Sequence, residues 1–236
     1  MSSEEEEDEE GEEGDKEFTW SGLIEDYEPV GPGIAGYPNG DTFEGTYLGG
    51  KRHSVGKYTF TKSDAVYEGN YTNNQKAGFG TMIYPDKGTY TGAWYQDTRS
   101  GEGQYTYANG DIYKGGWSEN KKHGVGTYFF KNTAAQFIGD WEKGFFVKGK
   151  WLFCNGDFYE GDFAKSKPQG PGKFMFFRSK STVTGTFDKG KWTIGTTKQT
   201  PAKEILEYAM KAAPSLFAPQ LDAKSLQSFV IPMKFK

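Results

Sequence analysis

The sequence predicts an all-β protein, built as an elongated ribbon of stacked antiparallel β-hairpins with a tail at each end. Glycines recur along most of the chain at intervals of 22 to 24 residues. Aromatic residues stand two positions before and two positions after most of these glycines, and a second glycine follows eleven residues later in most units. A period of this length is typical of proteins in which each unit packs mainly against its neighbours.

The composition excludes several classes of protein. The chain has 236 residues, 17% of them aromatic, with one cysteine and two histidines. One cysteine excludes a disulfide framework, and so few soft ligands exclude a structural zinc site. No run approaches the roughly 18 apolar residues needed to span a bilayer, and the first residues are acidic rather than a secretory leader. We therefore expect a reducing, cytoplasmic location.

Residues 1–17 are predicted to form an acidic disordered tail. The first 16 residues contain ten acidic side chains and one base, Lys16. Removing them from the chain totals of 32 acids and 28 bases leaves 22 acids and 27 bases, so the rest of the chain is basic. Such a segment cannot bury enough apolar surface to offset the entropy of ordering. The tail either keeps the aromatic body soluble or contacts a basic surface, on a partner or on its own body.

Residues 18–195 form the repeat array, which has about eight units of 22 to 24 residues. The special residues are spaced by two, so Tyr67, Gly69 and Tyr71 share one face of a strand while Glu68 points to the other. A glycine between two rings leaves space for a ring of the neighbouring hairpin. The glycines with this structural role are Gly22, Gly45, Gly69, Gly92, Gly115, Gly139, Gly161 and Gly185.

Turn chemistry joins the units. Asn-Gly-Asp stands between units at residues 39–41, 109–111 and 155–157. Asn-Gly is typical of a two-residue hairpin turn, which needs residues with positive φ. These segments are therefore predicted to be tight turns between successive hairpins.

Basic residues recur close to the turn inside each unit. In a stacked ribbon these turns would line one long edge, with bases about 9 to 10 Å apart, and the turns between units would make the opposite edge relatively acidic. The row either forms a continuous field that binds a partner or only keeps the edge solvated. The predicted partner-binding residues of this basic edge are Lys51, Arg52, Lys76, Arg99, Lys121, Lys122, Lys143, Lys167 and Lys191.

Two further segments follow the array. Residues 196–214 are predicted to form a linker and a short capping helix, which Thr200 and Pro201 are suited to begin and Pro214 to end. Residues 215–236 are predicted to be an extended apolar tail, too interrupted to form its own core, that either folds back on the ribbon or docks into a partner. The partner-binding residues predicted in this tail are Leu226, Phe229, Val230 and Ile231.

Motifs that resemble catalytic or ligand sites have structural explanations. Residues 31–36 match G-x-G-x-x-G, but the motif contains Pro32 and no helix follows it. His53 and His123 stand several hairpins apart and cannot share a metal or act as an acid–base pair. No neighbouring motif would activate Cys154. The sequence therefore predicts no catalytic residue, no cofactor and no metal.

Four segments carry a family resemblance. Residues 90–94 (YTGAW) are followed by residues 99–103 (RSGEG), and residues 113–117 (YKGGW) by residues 122–126 (KHGVG). These pairs resemble MORN repeats (membrane occupation and recognition nexus), and the resemblance extends over residues 18–195.

Within that family the arrangement is similar to MORN proteins of the radial spoke head of motile cilia. The similarity lies in the acidic start, in residues 38–45 (PNGDTFEG) and in residues 167–174 (KPQGPGKF), where prolines interrupt the usual pattern. The resemblance implies a non-enzymatic scaffold in the axoneme of a cilium or flagellum. It implies other radial spoke head proteins as partners, with contact to the central apparatus and self-association as further options.

One alternative remains open from the sequence. The family name also suggests a membrane-apposed adaptor that binds anionic phospholipids through the basic edge. No basic amphipathic helix or lipidation motif accompanies the array, so a membrane is the less favoured partner. Nucleic acid is not an expected partner.

Overall fold

The structure is a computed structural model, and it describes residues 17–201. These residues form 17 β-strands and no helix, which confirms the predicted all-β ribbon of hairpins. The acidic segment, residues 1–16, lies outside the described residues. So do residues 202–236, which include almost all of the predicted capping helix and the whole apolar tail.

The strands follow one another along the chain with short connections. The first unit contains three strands, β1 (Thr19–Trp20), β2 (Leu23–Glu25) and β3 (Glu28–Gly36). Each later unit contains an outgoing strand and a return strand. These strands are β4 (Thr42–Leu48), β5 (Lys51–Phe60), β6 (Ala65–Thr72), β7 (Gln75–Ile83), β8 (Thr89–Tyr95), β9 (Thr98–Thr106), β10 (Ile112–Ser118), β11 (Lys121–Phe130), β12 (Ala135–Glu142), β13 (Phe145–Leu152), β14 (Phe158–Ala164), β15 (Lys167–Phe176), β16 (Ser181–Asp188) and β17 (Lys191–Gln199).

The strands form one open antiparallel sheet in which neighbours in sequence are neighbours in space. From β3 to β17 each strand pairs with the next, while β1 and β2 both pair with β3. The last strand reaches Gln199, which pairs with Ser181, so the array extends past the predicted boundary at residue 195. All strand contacts are therefore local in sequence, as in other repeat proteins.

The repeat glycines of successive strands lie directly opposite one another. Gly80, for example, pairs with Gly69 on one side and with Gly92 on the other. The line crosses every strand from β3 to β16, and we call it the glycine spine. Its members are Gly33, Gly45, Gly56, Gly69, Gly80, Gly92, Gly103, Gly115, Gly126, Gly139, Gly149, Gly161, Gly172 and Gly185.

An aromatic ring lies across the spine in each central hairpin. In the hairpin of β8 and β9 this ring is Tyr90, which is fully buried. A Cβ atom on Gly103 would lie 2.6 Å from Cζ of Tyr90, and one on Gly92 would lie 2.7 Å from the Tyr90 hydroxyl oxygen. The ring therefore occupies space that only paired glycines leave open. It belongs to the same hairpin as the glycines, whereas the sequence suggested a ring from the neighbouring hairpin.

These rings continue into one edge-to-face column along the sheet. Tyr90 meets Trp94 of its own unit at a centroid distance of 5.2 Å and Trp117 of the next unit at 5.3 Å. The Trp117 indole N–H also donates to the carbonyl oxygen of Gly103 at 3.3 Å. Ring contacts of this geometry stabilise by about 0.5–1.5 kcal/mol beyond their buried area. The interface between units therefore consists of ring edges, ring faces and an indole hydrogen bond.

The two glycines of each Gly-x-Gly meet different requirements. The second belongs to the spine, while the first stands at a β-bulge on the return strand, where the register shifts. Gly101 has φ of 90° there, in the left-handed region. Ser54 stands at the same position in the unit of β4 and β5, with φ of 57°. A side chain is thus accepted at the bulge position and excluded at the spine position.

The turns differ from the prediction in their location. The two-residue turns lie inside the units, where both central residues have positive φ; Gln96 and Asp97, with φ of 46° and 63°, are one example. Each Asn-Gly between units instead ends a three-residue loop in which only the glycine has positive φ, such as Gly40 with φ of 87°. Its N–H donates to the Tyr37 carbonyl oxygen at 2.8 Å. Loops of this kind are the next commonest hairpin connection.

The Gly-x-Gly of β9 offers a test of these two requirements. Gly103→Ala should lower the free energy of unfolding by about 1–3 kcal/mol, because the methyl group overlaps the Tyr90 ring. Gly101→Asn should cost much less, because Asn tolerates left-handed backbone. Urea denaturation followed by circular dichroism measures both.

Glu68→Ala is the control, since Glu68 is exposed on the opposite face and surface substitutions usually change stability by no more than about 0.5 kcal/mol. Equal losses for Gly103→Ala and Gly101→Asn would contradict the assignment of separate roles.

Candidate interaction surface

The nine bases predicted to form one edge separate into two groups by their position on the return strands. Successive side chains on a strand point to opposite faces, so the first and second residues after a turn face different surroundings. Exposed bases stand at the first strand position or, for Lys143, in the turn itself; they are Lys51, Lys121, Lys143, Lys167 and Lys191. Half-buried bases stand at the second strand position; they are Arg52, Lys76, Arg99 and Lys122.

The half-buried group, which we call the inner cation row, lies on the ring face and not on the exposed edge. The Arg99 guanidinium carbon is 4.6 Å from the centroid of Trp117 and 5.4 Å from that of Tyr105. The Lys122 ammonium is 4.7 Å from the centroids of both Tyr128 and Trp141. Cation–π contacts contribute about 0.5–2 kcal/mol, more when the cation is desolvated. The prediction of a basic edge is therefore wrong for these four residues, because their long side chains cover the ring column.

The inner cations also connect successive turns. The Arg99 backbone N–H donates to the Asn120 side-chain oxygen at 2.9 Å, and its guanidinium donates to the Asn120 carbonyl oxygen at 2.9 Å. The Asn120 backbone N–H donates in turn to the Arg99 carbonyl oxygen at 3.1 Å. Arg52 forms the same set of bonds with Asn74. The Asn or Asp that recurs at the second turn position, as Asn74, Asp97 and Asn120, is the sequence signal for this contact.

The inner cation row covers only part of the ribbon. At the second position of later return strands stand Phe146, Pro168 and Trp192 instead of bases. Phe146 is fully buried and stacks on Phe137 with a centroid distance of 4.7 Å and an interplanar angle of 3°. The ring face is therefore cationic near the amino-terminal end of the array and apolar further on.

Two acidic residues between units are buried rather than exposed on an acidic edge. Asp111 accepts the Tyr128 hydroxyl at 2.8 Å and the Lys131 backbone N–H at 2.9 Å. Asp41 makes the same pair of contacts with Tyr58 and Thr61. Burial alone would raise the pKa of Asp111, but the hydrogen bonds that its carboxylate accepts hold the pKa below its ordinary value. These carboxylates join one loop to the next and are not free to bind a partner.

The other motifs show no site within the described part of the chain. Residues 31–36 lie inside β3 and do not precede a helix. His53 and His123 lie on the separate strands β5 and β11, and the Cys154 thiol is exposed. Among residues 17–201 no group of three His, Cys, Asp or Glu side chains could hold a metal ion. No helix long and apolar enough to cross a membrane occurs in the described residues.

Burial shifts the pKa of several side chains on the ring face. Desolvation, with a further contribution from the positive charge of Arg99, lowers the pKa of Lys122 from 10.5 to about 8. Desolvation raises the pKa of Tyr107, on the same face, to about 12. Lys122 therefore loses its proton at a lower pH than an ordinary lysine does.

Comparison with known proteins matches six segments of the chain to the MORN repeat model. The segments are residues 43–65, 67–89, 90–112, 113–133, 137–158 and 159–177, just over half of the chain. A stretch of 51 residues is 35% identical to MORN repeat-containing protein 3 of Xenopus laevis. That match spans 22% of this chain and 21% of the relative, so the chain resembles it over about a fifth of its length.

The lowered pKa of Lys122 predicts a pH dependence of stability. Between pH 8 and 10.5 the unfolded chain holds a proton on this side chain that the folded chain has lost, so the free energy of unfolding rises with pH across that window. Lys122→Met should remove this rise. Urea denaturation at about pH 7 to 9.5 measures it, below the range in which the tyrosines ionise in the unfolded chain.

Lys121→Met is the matched control, because Lys121 is the exposed neighbour on the same strand. It should keep the pH dependence of the unchanged protein. Identical pH profiles for the two variants would show that burial of Lys122 does not shift its titration.

Proposed function

The chain belongs to the MORN repeat family, and on that premise we propose that it is a non-enzymatic scaffold of the axonemal radial spoke head in motile cilia or flagella. MORN repeat proteins are generally non-enzymatic scaffolds. The observation that carries the proposal is the uninterrupted sheet from β3 to β17, in which, within residues 17–201, each strand pairs with the strands next to it in sequence. Such a ribbon presents a long surface for protein partners, whereas substrate sites are usually clefts.

The assignment to the radial spoke head rests on sequence resemblance. The chain resembles radial spoke head protein 1 in its acidic start, in residues 38–45 and in the proline-containing residues 167–174. In the structure, residues 167–174 form most of β15, and Gly172 keeps its place in the glycine spine. The prolines thus replace the usual repeat residues without interrupting the sheet.

Two surfaces would bind the other radial spoke head proteins and contact the central apparatus. The first is the exposed part of the predicted basic edge, formed by Lys51, Lys121, Lys143, Lys167 and Lys191. Exposed charges add little to stability, so these side chains are available to steer a partner. The second is the apolar tail with Leu226, Phe229, Val230 and Ile231, which lies outside the described residues.

The membrane-apposed alternative has less support. It relies on a dense basic edge, but four of the nine bases lie among aromatic rings on the sheet face. The five exposed lysines are spread over the length of the array, and surface lysines contribute about 1 kcal/mol each to binding of anionic lipid.

The proposal predicts that the exposed edge and the apolar tail each contribute to assembly. The test uses full-length protein that carries Lys51→Glu, Lys121→Glu, Lys167→Glu and Lys191→Glu. This variant should be depleted from axonemes, and it should bind less radial spoke head protein in pulldowns. Its fold should be unchanged, because the four side chains are exposed. Fluorescence localisation in a ciliated cell and immunoblotting of isolated axonemes measure both effects.

The matched control replaces the same four lysines by Arg, which keeps the charge. A second arm deletes residues 215–236, which should leave the melting of the array unchanged and reduce incorporation, since each fully buried apolar side chain contributes roughly 1.5–3 kcal/mol. Normal incorporation of both variants would contradict the assigned surfaces. Absence of the unaltered protein from axonemes, together with sedimentation on anionic vesicles, would favour the membrane alternative.

A further inference from the structure

We propose that the acidic segment, residues 1–16, docks within its own chain on the inner cation row and covers the ring face of the first half of the array. This inference goes beyond the proposed function and does not depend on the identity of the assembly. It rests on the inner cations that lack a carboxylate partner, on the position of Phe18, on the length of the acidic segment and on the distribution of bases along the ribbon.

Three of the four inner cations have no carboxylate partner within the described part of the chain. Lys76 lies 3.1 Å from Asp97. Arg52, Arg99 and Lys122 have no carboxylate within 4.0 Å among residues 17–201. The Arg52 Nε atom is buried and has no hydrogen-bond partner in the described part of the chain. Half-buried cations gain from a nearby anion, because removal from water weakens their solvation and strengthens the attraction.

The described chain begins beside the first member of the row. Phe18 packs on Tyr37 at a centroid distance of 5.8 Å, and the Arg52 guanidinium carbon lies 5.9 Å from the centroid of the same ring. Trp20 contacts Tyr47 at 4.7 Å and lies over Gly33 of the spine. The chain therefore enters the ribbon on the ring face, next to Arg52, and not on the opposite face.

The acidic segment is long enough to follow the whole row. Arg52 is on β5 and Lys122 is on β11, six strand spacings away, which is about 29 Å at roughly 4.8 Å per strand. Sixteen fully extended residues span at most about 53–58 Å. Ten carboxylates over that length provide acceptors along the row without requiring one fixed register.

The distribution of bases along the ribbon favours residues 1–16 as the segment that docks on this face. The inner cations occupy four successive units, the second to the fifth, and Phe146 takes their position in the following unit. The cationic part of the ring face is therefore the part that residues 1–16 reach. A tethered segment also has a high effective concentration at this face, which an acidic segment of another protein lacks.

A paramagnetic label on the full-length chain tests the contact. A nitroxide attached through Ser3→Cys, with Cys154→Ser to remove the native thiol, should broaden the indole signals of Trp94, Trp117 and Trp141. Each of these three rings lies under an inner cation. The Trp192 signal, on β17, should keep its intensity. The broadening should be strong in low salt and largely lost at about 1 M salt, where the Debye length is about 3 Å.

Three variants complete the test. Changing Glu4, Glu5, Glu6, Glu7, Asp8, Glu9 and Glu10 to Gln or Asn should remove the broadening without touching the array. Changing Arg52, Lys76, Arg99 and Lys122 to Gln should also remove it. The matched set changes the exposed Lys51, Lys121, Lys167 and Lys191 to Gln and should leave it in place.

Several results would overturn the proposal. The first is absence of broadening in the labelled chain that carries no further substitution. The second is broadening that persists after the acidic side chains are neutralised, since that change leaves the array untouched. An equal loss of broadening after the exposed lysines are changed to Gln would show that the acidic segment responds to the overall positive charge of the array and not to the inner cation row. The same broadening in an isotope-labelled chain without nitroxide, mixed with nitroxide-labelled chains that lack the isotope, would assign the contact to a second copy.

Discussion

The packing of one ring across two paired glycines determines most other features of this protein. A single-layer sheet has no second layer to bury its aromatic residues, so rings such as Tyr90 are buried by lying flat on their own backbone. That position requires Gly92 and Gly103 to be opposite each other, because a Cβ atom on either would overlap the ring. The hairpin register and the position of the bulge both keep these two glycines opposite each other. The tryptophan of the next unit then packs on the edge of the ring, and the array continues.

The ring column explains why half-buried bases occur on this face. Four rings surround the Arg99 guanidinium, and its long apolar stem covers the rings that the sheet leaves open. Lys121 and Lys122 are adjacent and identical, yet one is exposed and the other packs among aromatic rings. The outer lysine of this pair is therefore exposed to solvent, while the inner lysine packs on the ring column, where we propose that the acidic segment docks.

The sequence predicted the class of fold and the period, because those features depend on local spacing by two and on residues that must lack a side chain. Seven of its eight repeat glycines lie in the spine, whereas Gly22 lies between β1 and β2. The sequence did not predict that Tyr90 packs on glycines of its own hairpin. It also placed Arg52, Lys76, Arg99 and Lys122 on the edge. The face to which a side chain points depends on its position counted from the start of the strand, and the distance from a turn does not give that start. The buried role of Asp111 was missed for a related reason, because its partner Tyr128 is on another strand, 17 residues further along the chain.

A double-mutant cycle between Tyr90 and Gly103 tests the central constraint most directly. Local stability of β8 and β9 would be measured by native-state hydrogen exchange for the unaltered protein, Gly103→Ala, Tyr90→Leu and the double variant. If the glycine is required by the ring, Gly103→Ala should cost about 1–3 kcal/mol when Tyr90 is present and much less in the Tyr90→Leu background, which gives a large coupling energy. Additive costs would show that the spine glycines are needed for a reason other than the ring.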